Sequence, residues 1–278
     1  MGGLCAALMW AVSALCISRS TRMIPPVALL GWVMLIGALV SAPFALASGV
    51  PDGLGAEQAG LLVLTAIGNT TGALLVYSSL KHGKVGVVAP ITSAQGAAAA
   101  VIAVLAGEQI ATGAAIALGA IVIGVALSSM ARSSEPEPHL NEGIAVVFAI
   151  GAAAFFGLGL FAMGKLSKDL PIAWVVFPSR TLAVLAVTVP LALTRRMPMT
   201  RDAAPLVVAS GLLEVGGVVA YTLGAREGIA VAAVLGSQFA AIAAVLAFFL
   251  FRERLSRVQI AGVSIIAVGV AVLTGLQA

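Results

Sequence analysis

The chain has 278 residues, 61% of them hydrophobic and only 9% charged, with a mean hydropathy of +1.13. So few polar side chains cannot cover a water-soluble domain of this length, so the sequence specifies a protein whose outer surface meets lipid. The net charge of +4 lies in short loops without a Lys/Arg cluster interleaved with aromatics, which argues against a nucleic-acid surface.

Ten apolar runs follow one another, each roughly 17 to 25 residues and so long enough to cross about 30 Å of hydrocarbon. The expected spans are 2–18, 27–47, 57–80, 84–105, 109–130, 142–166, 172–193, 202–225, 229–250 and 257–275. Backbone polar groups in hydrocarbon must be satisfied internally, and none of the runs alternates as a barrel strand would, so each is expected to be helical. The fold class expected is an all-α polytopic membrane protein. Pro25, Pro26, Pro51, Pro136, Pro138, Pro171 and Pro198 fall near the predicted ends, where helix breakers belong.

Along the chain, a few residues stand out from this apolar background. Trp10 lies near the middle of span 1, away from the interfacial belt usual for Trp, and is a candidate cavity wall. Cys5 and Cys16 share that span, roughly 16 Å apart along its axis, too far to bridge. In span 3, Asn69 sits within GNTTG, where Gly68 and Gly72 allow close helix approach. Asn69 therefore either lines a cavity or holds two helices together. Span 4 contains APITSAQ, in which Pro90 removes a backbone hydrogen bond close to Thr92, Ser93 and Gln95. Span 9 has LGSQ at the matching depth, with Ser237 and Gln238. Loosened helices at corresponding places in two halves point to a midplane binding site.

Arg180 in span 7 and Glu214 in span 8 are the two charges well inside a span, and such charges are costly unless paired or facing water. Counting at about 1.5 Å per residue puts both roughly 12 Å from the same face, on two helices of one hairpin. The pair can serve as a fixed structural ion pair, or Glu214 can take up a proton when substrate or Arg180 leaves it. Tyr77, Tyr221, Trp32 and Trp174 are expected in the interfacial belts, while Phe155 and Phe156 fall on span 6. Glu108 and Glu253 fall at helix ends, where a carboxylate favours the open amides at the starts of spans 5 and 10.

The second half repeats the first. The run from Val85, VGVVAPITSAQGAAAAVIAVLAGEQIATGAAIALGAIVIGVAL, returns as AVAAVLGSQFAAIAAVLAFFLFRERLSRVQIAGVSIIAVGVAV, with Gly83/Gly228, Glu108/Glu253 and Gly124/Gly269 all 145 positions apart. Pro26/Pro171 and Asn69/Glu214 keep the same spacing. The expected organisation is residues 1–130 as one five-helix repeat, 131–141 as a polar linker and 142–278 as the second repeat. An odd number of helices per repeat turns the second copy upside down. The basic residues agree: eleven lie in the loops after spans 1, 3, 5, 7 and 9, against Lys165, Lys168 and Arg226 on the opposite face. The first set is expected in the cytoplasm, with both termini outside.

These features resemble EamA-type members of the drug/metabolite transporter superfamily. GEQIATGAAIALGAIVIGVAL closes one half and RERLSRVQIAGVSIIAVGVAVL the other: a Glu after span 4 or 9, a Gly-spaced helix, and an Ile/Val-Gly-Val ending. Two departures stand out, Gln109 where a basic residue is common and no Arg in span 2 to match Arg180. The resemblance implies a secondary transporter in a bacterial inner membrane, exporting amino acids or other small metabolites through a central cavity between inverted repeats, with protons as a candidate coupling ion.

No phosphate-binding G-x-x-x-x-G-K-[ST] loop occurs, His82 and His139 lack metal-site spacing, and no G-x-S-x-G elbow is present. Hence no cofactor, metal or catalytic residue is expected. The partners are a small-molecule substrate and the bilayer, with the chain acting as a monomer or homodimer. Uptake, uncoupled facilitation, a membrane-embedded enzyme and a scaffold subunit are the competing readings.

Overall fold

The computed structural model describes residues 1–52, 54–82, 91–129, 142–239, 241–243 and 245–246, together with 258, 260–262, 264–266, 268, 269 and 272. All regular structure among them is helical. In chain order the elements are α1 (Gly2–Ser20), α2 (Pro26–Ala47), α3 (Ala56–His82), α4 (Gln95–Leu105) and α5 (Thr112–Ser129). There follow α6 (Glu142–Asp169), α7 (Ile172–Leu193), α8 (Ala204–Ala225) and α9 (Ile229–Gly236), then helical residues between 258 and 272.

Among the described residues, α2, α6, α7, α8 and the Ala56–Val76 part of α3 are long and apolar enough to cross a membrane; Gly2–Ile17, Ile91–Leu105 and Thr112–Gly124 are shorter apolar helices. The spans expected at 84–105, 229–250 and 257–275 lie partly outside the described residues.

Proline positions explain several boundaries. Pro26 and Pro205 stand in the first turn of α2 and α8, where a missing N–H costs nothing, and Pro171 caps α7. Read from sequence as an unbroken α-helix, α7 is interrupted by a π-helical turn at Val184–Thr188. Pro190 lies just beyond it, and its ring crowds the preceding turn while offering no donor, so widening that turn relieves the clash. The helix then ends in a Schellman cap: Arg195 N–H donates to Ala192 O at 3.0 Å and Arg196 N–H to Leu191 O at 2.8 Å. The residue in the left-handed position of this cap is Arg195, at φ 53°, where glycine is usual. A non-glycine residue there costs on the order of 1 kcal/mol.

Small residues set the packing, and the helix pairs run antiparallel. On α1, Gly2 meets Ala220 and Gly224 of α8, Trp10 covers Gly217, and Ser13 Oγ donates to Ser210 O at 3.2 Å. On α3, Gly68 faces Gly159 of α6, Gly72 lies against the Phe156 ring, and Ser79 Oγ donates to Ala145 O at 2.7 Å. Between α2 and α7, Thr188 Oγ1 donates to Gly31 O at 2.9 Å. Gly96 of α4 approaches Ala233 and Ser237 of α9.

These contacts are reciprocal between the halves. The α3–α6 pair of one exchange corresponds to α8–α1 of the other, and Gly72 and Gly217, 145 positions apart, each lie under an aromatic of the opposite half. A Cβ on Gly124 would stand 2.8 Å from Ile266 Cγ1, and one on Gly269 2.7 Å from Ile121 Cγ1. Two antiparallel helices exchanged by a two-fold need an axis perpendicular to both. The repeats are therefore reversed relative to one another along the helix direction, the geometry that inverted-topology repeats require.

Loop contacts sort the cations between two ends of the molecule. Ile24 packs with Ala203 and Val207, and Trp32 Nε1 reaches Pro198 O at 3.4 Å, so Arg19, Arg22, Arg195, Arg196 and Arg201 share one end. Arg226 Nε donates to Ser167 O at 2.8 Å at the other, where Lys165 and Lys168 also lie. The outward surface is apolar, with Phe44, Leu46, Ile116, Val147 and Leu193 all well exposed, as a lipid-facing surface requires.

Candidate functional site

Arg180 leaves α7 about midway along its length and is enclosed by α2 and α8. Its Nη2 donates to Glu214 Oε2 at 3.1 Å, and its Nη1 points at Met34 Sδ, 3.1 Å away. Gly37 makes room for the arginine stem: a Cβ there would stand 3.2 Å from Arg180 Cδ and 3.4 Å from Val215 Cγ2. The Arg180 side chain is 7% exposed and that of Glu214 is 28% exposed. The cation is thus sealed among three helices, while the carboxylate keeps one side accessible. Met34 and Gly37 escaped the sequence reading, since an apolar residue and a glycine on an apolar helix carry no signal of the charge they surround.

The remaining candidates lie on other junctions. Asn69 is half-buried with its Oδ1 against Gly159 of α6, so its position is at a helix contact between halves. Ser93, Gln95, Ser237 and Gln238 are all buried, and Thr92 is half-buried. Ser237 lies against Gly96, so the α4–α9 crossing brings these two polar clusters of the repeat next to each other. Ser237 Oγ donates to Val234 O at 2.8 Å, whereas Gln238 Nε2 is buried without a hydrogen-bond partner. Pro90 lies outside the described residues.

Trp10 packs between α8 and α9. Its ring centroid is 6.1 Å from that of Tyr221, its six-membered ring edge meets Gly236, and its buried Nε1 has no hydrogen-bond partner. Tyr221, expected in an interfacial belt, is instead completely buried, and its hydroxyl donates to Leu160 O of α6 at 2.7 Å. The physical reason is the helix carbonyl within reach: a phenol can enter the interior once its one donor is satisfied. Tyr77's side chain lies outside the described residues.

Glu108 also differs from expectation. Instead of serving the start of α5, its two carboxylate oxygens accept the Ile229 and Ala230 N–H groups at 3.2 and 3.1 Å. These amides open α9 in the other half. The residue preceding them is Gly228, which has no side chain to cap with, so the carboxylate arrives from 120 residues earlier in the chain.

The profile of the EamA-like transporter family matches residues 1–130 and 143–275, nearly the whole chain in two blocks that coincide with its two repeats. The chain belongs to the EamA-like transporter family. A crystal structure of a protein with the same fold superposes with a TM-score of 0.79 at 20% identity, covering 99% of this chain and 96% of that one. No curated protein sequence matches the chain. Membership makes this a multi-pass membrane transporter of the drug/metabolite transporter superfamily. In the EamA-like frame, Arg180 and Glu214 occupy the second repeat, and the corresponding positions of the first repeat are Leu35 and Asn69. The charged pair is therefore present once in a molecule whose scaffold is built twice.

Proposed function

We propose that this EamA-like protein is a secondary active exporter of amino acids or other small metabolites, working by alternating access with proton exchange at Glu214. The observation that carries the reading is the Arg180–Glu214 pair, a sealed cation holding a carboxylate that keeps an open side. An ammonium-bearing substrate and a proton compete for the same carboxylate, and competition of that kind is the simplest way to make two fluxes exchange. Arg180 holds Glu214 in place between occupants, so the empty carrier does not leave a charge unpaired in a low-dielectric interior.

Asn69, Thr92, Ser93, Gln95, Ser237, Gln238 and Trp10 supply the polar and aromatic lining of the route between the repeats. The two five-helix units, residues 1–130 and 142–278, rock about the internal two-fold, and the many Gly contacts allow helices to shear without leaving large voids. The cation-rich end faces the cytoplasm of a bacterial inner membrane, and both termini face outward.

Counterflow in proteoliposomes, with and without an imposed proton gradient, tests the proposal. Wild-type protein should accelerate amino-acid exchange and respond to the gradient, and Glu214→Gln should lose the gradient response. Full retention of gradient-driven transport by Glu214→Gln would refute proton exchange at this carboxylate. An unchanged response in the wild type to dissipating the gradient would point to an uncoupled carrier.

A further inference from the structure

An open groove of about 430 Å³ lies between α2 and α7 at the cation-rich end. Trp32 and Leu35, one turn apart on α2, form one wall, and Thr188 and Ala192, one turn apart on α7, form the other. Met197 and Arg195 from the loop after α7 complete it. The lining therefore combines the Trp32 indole and aliphatic surface with the buried Thr188 hydroxyl, which already donates to Gly31 O, and the exposed Arg195 guanidinium.

Two local features place the polar groups of this groove. The π-helical turn ends at Thr188 and turns that residue toward α2. The Schellman cap puts Arg195 at the left-handed position, φ 53°, where glycine would relieve the backbone. An unfavourable residue held at such a place is a pointer to function when its side chain also lines a groove.

We infer that this groove is a binding site for a small organic carboxylate with an apolar or aromatic body, its carboxylate facing Arg195 and its body against Trp32 and Leu35. Resting on the exporter reading above, the groove receives the carboxylate end of an amino-acid substrate at the cytoplasmic end and leaves its ammonium free for Glu214. The same chemistry is offered by an anionic phospholipid, and the test separates the two sources.

Isothermal titration of the full-length protein in phosphatidylcholine nanodiscs with indole-3-acetate, and with indole-3-acetamide of the same shape without the charge, measures the site. The acid should bind at least tenfold more tightly than the amide. Arg195→Gly should lose that preference while melting at or above the wild-type temperature, because glycine suits the cap; Arg195→Gln, which keeps a side chain, should lose it as well. Equal binding of acid and amide by the wild type, or unchanged acid binding by both variants, would overturn the assignment. Displacement of the acid by phosphatidylglycerol in the nanodisc would give the groove to lipid and overturn the substrate-binding role. Because binding is read without flux, an intact site in a protein that fails counterflow would count against the exporter reading alone.

Discussion

Replacing Glu108 with alanine removes the acceptors that, among the described residues, serve the first two amides of α9, and the consequence can be worked out from the contacts. Both bonds, 3.2 Å from Ile229 and 3.1 Å from Ala230, run to a carboxylate, and bonds of that kind contribute about 1.5–3 kcal/mol each. Glu108 is half-buried at the end of the molecule, so water replaces part of what is lost, and a net cost of about 2 kcal/mol is reasonable. At about 1.4 kcal/mol per factor of ten, that is a roughly thirtyfold rise in the open population at this junction. Hydrogen exchange read by mass spectrometry on peptides covering residues 226–232 measures it directly. Protection there should fall by about that factor in Glu108→Ala and by a smaller factor in Glu108→Gln, which keeps one acceptor. Unchanged exchange in Glu108→Ala would mean that the α9 amides are held by their own helix environment, and that the contact between halves contributes nothing at this end.

Three further outcomes follow from the packing. Gly124→Ala and Gly269→Ala should each lower the melting temperature in detergent, by about 1–3 kcal/mol of overpacking. In double-mutant cycles Ile266→Ala should reduce the cost of the first and Ile121→Ala that of the second; a reduction that ignores this pairing would contradict the two-fold contact between Ile266 and Gly124 and between Ile121 and Gly269. Tyr221→Phe should cost about 1–2 kcal/mol, because the Leu160 carbonyl loses a 2.7 Å bond in a site without water access, and a melting temperature equal to wild type would show that bond to be incidental. Gly217→Ala should shift Trp10 emission, since a methyl group there meets the indole nitrogen, while the same change at Gly60, inside α3 where a Cβ meets nothing within 4 Å, should leave emission unchanged and not lower the melting temperature.

Much of the fold could be read from the sequence because its signals are local. The spans read at 27–47, 172–193 and 202–225 match Pro26–Ala47, Ile172–Leu193 and Ala204–Ala225, since an apolar run bounded by prolines fixes its own ends. The depth count that put Arg180 and Glu214 level agrees with their 3.1 Å separation. What could not be read depends on distant contacts. The repeat alignment flagged Glu108, but nothing near it in sequence names Ile229 and Ala230 as its partners. Tyr221 looked like a belt residue because its burial depends on a carbonyl 61 residues away. Arg195 counted only as one more loop cation, because its left-handed backbone is visible only once the α7 cap has formed.

The asymmetry inside this symmetric frame bears most on how the molecule works. Two-fold contacts such as Gly124 with Ile266 and Gly269 with Ile121 let either end of the bundle adopt the packing of the other, which is what rocking requires. Full chemical symmetry would make the two ends bind their ligands alike. Here the positions related to Arg180 and Glu214 are Leu35 and Asn69, so exchanging the two packings leaves only one charged pair and changes its surroundings. Leu35 also lines the groove at the cation-rich end, so the site related by symmetry to the buried cation is apolar. Under the exporter reading, the repeat supplies the motion, the departures from it, one cation and one carboxylate, supply the coupling chemistry, and the gradients of substrate and ion set the direction.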